Sequence, residues 1–197
     1  MSIRTRRLPK LILVAAAASA ALLMPPALSG QGQKEEFTGF AINMNSGPST
    51  ATVDFTIERW STDEERNALL SILTEVKDPY KANAQLLTAL QRMPKAGYIR
   101  TTKTLAWDLR YAHQNTLEEG GRRIVVATDR PIGFREAANQ ARTMDYPFTI
   151  VEIRLDKNDK GSGKILAGTR LLIEKGALVL ENYGQQPIRF NEIRKRD

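Results

Sequence analysis

Between residues 51 and 60 apolar and polar positions alternate, with Ala51, Val53, Phe55 and Ile57 against Thr52, Asp54, Thr56 and Glu58. Residues 37–44 read as a preceding strand, and Ser-Gly-Pro-Ser at 46–49 separates the two as a turn. Period-two patterning on both sides of a Gly-Pro turn predicts a hairpin with one wet face. The period then changes. Thr62-Asp63-Glu64-Glu65 has the form of a capping box, in which a threonine hydroxyl and a glutamate three residues on satisfy each other's backbone N–H groups. Leu69, Ile72, Leu73 and Val76 follow at helical spacing. Asp78-Pro79 restarts a helix, because proline lacks only an N–H that the first turn would leave unpaired. Leu86, Leu87, Leu90 and Met93 give that helix its apolar face, and Pro94 ends it. Two amphipathic helices are predicted, over about 62–76 and 79–93.

From Gly97 onward the pattern is extended. Strands are expected at 98–103, 105–113, 123–128, 148–155, 165–174, 178–183 and 188–193, with turns at 118–121 and 156–164. Residues 135–142 suggest a helical turn or two. Strand runs this close together, separated by polar Gly-containing turns, imply antiparallel neighbours. The expectation is an α+β domain: an antiparallel meander of about seven or eight strands, with the helix pair inserted after the first hairpin. Such a sheet either curls toward a barrel or lays one face on the helices.

The N-terminal segment changes how the charge is read. Arg4, Arg6, Arg7 and Lys10 precede an apolar or small run at 11–24, and Pro-Pro-Ala-Leu-Ser follows. A basic start, a short apolar stretch and a small-residue end predict a signal peptide over 1–29, cleaved on export to the periplasm or beyond. Fourteen helical residues span about 21 Å, short of the roughly 30 Å hydrocarbon core. Residues 30–36 read as a flexible lead-in and 37–197 as one domain, soluble once the leader is cut. The formal charge of +7 includes four basic residues of that segment and none of its acids, so the remainder carries about +3. A mild surplus spread along the chain predicts a solvated surface and no nucleic-acid partner.

Composition narrows the chemistry further. The chain has no cysteine and one histidine, which excludes thiolate metal sites, cysteine nucleophiles and multi-histidine centres. Gly161-Ser162-Gly163 opens no helix and reads as a flexible turn, not a phosphate-cradling loop. Asp156, Asn158 and Gly161 partly match a calcium loop, but Lys160 and Ala167 stand where ligands are required, so a β-turn is expected. No catalytic group, metal or cofactor is predicted.

The most informative segment is 105–113. Fully extended, it places Leu105, Trp107, Leu109, Tyr111 and His113 on one face and Ala106, Asp108, Arg110 and Ala112 on the other. The sole histidine would then share an aromatic face, which suits a small apolar or aromatic ligand. Arg130, in the loop Asp129-Arg130-Pro131-Ile132-Gly133-Phe134, offers a planar fork to an anion, or else local bonds within a rigid turn. Trp107, Tyr111, His113 and Arg130 are therefore the candidate ligand-binding residues.

The stretches YIRTTKTLAWDLRYAH, RRIVVATDRPIGF and DYPFTIVEIRLDK, with the earlier FTIERWSTDEER, resemble a family of uncharacterised exported bacterial proteins. That resemblance implies export and no particular activity. The function expected is a small-ligand binding module of the cell envelope. The alternatives are a module that binds an envelope protein, or a hydrolase or isomerase that uses His113.

Overall fold

The computed structural model describes residues 34–44, 49–102, 105–130, 147–174, 177–182 and 186–196. The expected signal peptide, most of the turn at 46–49, the loop at 131–134 and the helical turn at 135–142 lie outside them. The elements are β1 (Glu35–Asn43), β2 (Ser49–Ile57), α1 (Asp63–Glu75), α2 (Pro79–Arg92), β3 (Gly97–Thr101), β4 (Trp107–Leu109), β5 (Tyr111–Thr116), β6 (Arg122–Thr128), β7 (Phe148–Leu155), β8 (Lys160–Glu174), β9 (Ala177–Asn182) and β10 (Ile188–Arg196). This is an α+β architecture, mostly β.

All ten strands belong to one antiparallel sheet in the order β4-β3-β2-β1-β10-β8-β7-β6-β5, with β9 added to the far half of β8. The sheet curls strongly. Phe37, Phe55, Ile99, Leu109, Ala112, Ile124, Val126, Val151, Ile153, Ile165 and Phe190 all project to its inner face and form one buried cluster. The rings of Phe37 and Phe55 stack there at 4.6 Å. The two end strands are consecutive in the chain and meet at Arg110 without a ladder between them. Arg110 N–H donates to Ala127 O at 2.9 Å, and Ser61 N–H donates to Ala112 O at 2.6 Å. These bonds stitch the seam, and the sheet is not closed into a barrel.

Curling on this scale needs positions without a side chain. Gly161 and Gly163 lie within β8, not in the flexible turn the sequence suggested; that turn is confined to four residues before Lys160. A Cβ at Gly161 would stand 1.9 Å from Arg154 O, and one at Gly163 2.3 Å from Glu152 O. Glycine there lets β7 and β8 close up. In β10 the register shifts between Phe190 and Ile193, with Glu192 at a φ of 51°. This bulge brings Ile188, Phe190 and Ile193 to the inner face despite their uneven spacing.

A second apolar layer lies outside the curl. Leu73 of α1 and Ala82, Leu86 and Leu90 of α2 pack against Phe148 and Ile150, with Val125, Ala127, Leu171 and Leu180 around them. The helices begin where the sequence places them. Thr62 accepts from Glu65 N–H and the Glu65 carboxylate accepts from Thr62 N–H, while Asp78 caps α2 ahead of Pro79. Asn83 ties α2 to the sheet: its amide donates to Leu171 O at 2.7 Å and accepts from Leu171 N–H at 2.9 Å. β1 starts at Glu35, so two residues assigned to the lead-in are strand, and the Glu35 carboxylate holds Arg122.

Candidate functional site

The segment expected to be one straight strand is two. A bend at Arg110 separates β4 from β5 and inverts which residues face inward. Leu109 and Ala112 therefore both point into the inner cluster, where Trp107 also packs. Tyr111 and His113 point the other way, toward the helices. The predicted aromatic face is thus divided: the sheet itself separates Trp107 from the histidine. Arg130 joins neither group. Its side chain is 56% exposed and lies 3.5 Å from Asp129, which matches local bonding within a turn.

Tyr111 and His113 line a cavity of about 230 Å³ between the helix pair and the outer face of the sheet. Leu69, Leu70 and Leu73 of α1 form one wall and Leu86 and Leu90 of α2 another; Val125, Ala127, Phe148 and Ile150 form the floor. Arg66, Asn115 and Arg123 supply the polar rim. The floor arises from the register of β5 against β6. Tyr111 pairs with Ala127 and His113 with Val125, so a small residue stands beside each ring and leaves room above it.

The electrostatics of the rim are specific. His113 Nε2 lies 3.0 Å from Asp63 Oδ1, at the first turn of α1. The imidazole is only 13% exposed, whereas the carboxylate faces solvent, so the pair closes one side of the rim. The Tyr111 and His113 rings stack at 6.2 Å. Burial pushes the Tyr111 phenol up to about 12, with Arg66 opposing the shift and Asp63 adding to it. The phenol therefore stays neutral in any physiological buffer and keeps its O–H available to donate. Arg123 Nε is 2.8 Å from Glu152 Oε1, a carboxylate that Arg154 also approaches at 3.5 Å. Among the described residues that line the cavity there is no Ser, Thr or Cys. The Asp63–His113 contact orients an imidazole whose neighbour in the cavity is the Tyr111 phenol.

Arg66, Asp63 and Asn115 were not singled out in the sequence. A signal was present on β6, whose outward positions run Arg123, Val125, Ala127, with two apolar residues away from the inner face. Among the described residues, no group of three or more metal-ligating side chains is present, and no helix is long and apolar enough to cross a membrane. Comparison with protein-family models, with curated proteins and with solved structures finds no match. The functional reading therefore stands on this geometry.

Proposed function

We propose that the protein is an exported binding module that holds a small apolar or aromatic ligand between its helix pair and the outer face of its sheet. The cavity of about 230 Å³, walled by leucines and floored by small and aromatic residues, carries this reading. Native cores rarely leave voids larger than a water molecule, and an engineered apolar cavity of about 150 Å³ accommodates benzene. Leu178, on the wall, is 46% exposed, so a ligand has a side from which to enter. Export rests on the N-terminal sequence, with cleavage after Ser29.

Two neutral probes, toluene and indole, test the reading by ligand-observed NMR and thermal shift on the purified protein. Saturable binding is expected, and Ala127→Trp, which fills the floor, should abolish it while the fold persists. Failure of both probes to bind, or unchanged binding in the filled variant, rejects the site. Mass measurement of the secreted product tests the leader: a chain beginning at Gly30 is expected, and an intact N-terminus rejects it.

A further inference from the structure

The polar groups around the cavity gather on one side of it, at the start of α1 and along β5. On β5 the outward residues run Asn115, His113, Tyr111; on β6, in register with them, run Arg123, Val125, Ala127. Along α1 the wall residues run Arg66, Leu69, Leu70, Leu73. The Asp63–His113 contact sets the start of α1 beside the middle of β5. Both strands therefore change from polar to apolar along their length, and the charged start of α1 lies beside Tyr111 and His113. A purely apolar guest gains nothing from such an arrangement, whereas an amphipathic one is oriented by it.

The charges at the polar end then select the headgroup. Arg123 faces Glu152 at 2.8 Å, a carboxylate it shares with Arg154, and Glu65 pairs with Arg59 at 2.8 Å. His113 is engaged by Asp63. Arg66 is different. Among the described residues it has no carboxylate partner, and its guanidinium reaches only Asn67 Oδ1, at 3.4 Å. One half-buried guanidinium with no ion pair among the described residues, at the mouth of an apolar cavity, matches no more than one negative charge. The nearby Asp63 carboxylate, 63% exposed, would repel a second.

We infer that the cavity takes an amphipathic monoanion, a carboxylic acid whose apolar body has about nine non-hydrogen atoms, with its carboxylate on Arg66. The inference rests on the apolar-site reading above. Its size scale follows from the six atoms of benzene in a cavity of about 150 Å³. Its headgroup follows from the planar fork that a guanidinium offers to two carboxylate oxygens.

Three probes with one phenylpropyl body separate the outcomes: 4-phenylbutyrate, the neutral 4-phenylbutanol, and 3-phenylpropylphosphonate, mainly dianionic at pH 8.5. Calorimetric titration of the purified protein in low salt at that pH should give at least tenfold tighter binding of the carboxylate than of the alcohol. Arg66→Gln should remove that tenfold preference for the carboxylate; Arg66→Lys should retain part of it. Equal affinity for acid and alcohol overturns the inference while leaving the apolar site intact. So does a loss of alcohol binding in Arg66→Gln, which would mark a structural role. Tighter binding of the phosphonate overturns the monoanion assignment. If none of the three binds, the apolar-site reading falls first and this inference with it.

Discussion

At the scale of single residues, two side chains do work that no pattern of apolar positions reveals. Asn83 is one. Where β8 runs beyond β7, the Leu171 N–H and C=O would face the underside of α2 unpaired, and the Asn83 amide takes both. Asn83→Ala leaves a part-buried donor and a part-buried acceptor without partners, at about 1–3 kcal/mol for each unsatisfied group. A loss of about 2–4 kcal/mol is expected by urea denaturation, and a loss below about 1 kcal/mol would show that water replaces the amide. Glu35 is the other. Burial raises its pKa, but the hydrogen bonds and charges of Arg122, and then of Lys195, outweigh that and hold the carboxyl below the ordinary 4.5. The unfolded chain binds this proton more readily than the folded one. The stabilisation is therefore complete above the unfolded pKa and is lost as pH falls through the lower, folded value. Unfolding free energies measured from pH 7 to pH 3 should fall less steeply in Glu35→Gln than in the parent; equal slopes would show that Glu35 contributes nothing to acid sensitivity.

At the scale of elements, legibility tracks how local the determinants are. Both helices could be read because their caps lie within four residues of each start: Thr62 with Glu65, and Asp78 with Pro79. Thr62→Ala should destabilise the fold by about 1 kcal/mol, the usual worth of an N-cap. It should also weaken the Asp63–His113 contact, seen as greater solvent exchange of the imidazole protons by NMR; an unaltered exchange rate would separate the cap from the rim. The strand at 105–113 was misread because one bend inverts every later side chain, and that bend answers to a distant partner, the Ala127 carbonyl that receives Arg110 N–H. The same bend puts Tyr111 and His113 at the cavity and Trp107 against the inner cluster. Gly161 and Gly163 resemble turn residues in sequence, yet their role is set by the backbone oxygens of Arg154 and Glu152 on the neighbouring strand. Arg66 escaped notice because an exposed helix position is ordinary until the sheet beneath it is known to be apolar.

At the scale of the whole molecule, one sheet supports two apolar layers that are filled to different degrees. The inner layer is tight: Phe37, Phe55, Phe190, Leu109 and Ile153 are fully buried, and the Arg122–Glu35 ion pair, with Asp159 and Lys195, sits beside Phe37. The outer layer leaves about 230 Å³ open beneath Leu73, Leu86 and Leu90. Void that a sequence could fill with one larger side chain costs stability, and sites kept for function commonly carry that cost. Ala127, on the floor opposite Tyr111, is the position at which to examine it. Ala127→Leu adds three carbons to the open space, each worth up to about 0.8 kcal/mol when buried. If the void is an unfilled part of a binding site, this variant should be more stable than the parent by about 1–2 kcal/mol in urea. It should also bind toluene, indole and 4-phenylbutyrate at least tenfold more weakly. Gly163→Ala, in the tight inner layer, should do the opposite, losing stability because its methyl meets the Glu152 carbonyl. Destabilisation by Ala127→Leu would mean that α2 already rests on the floor in solution and that no ligand is accommodated there. A gain in stability without loss of binding would move the ligand elsewhere on the wall, toward Leu178 and Leu180.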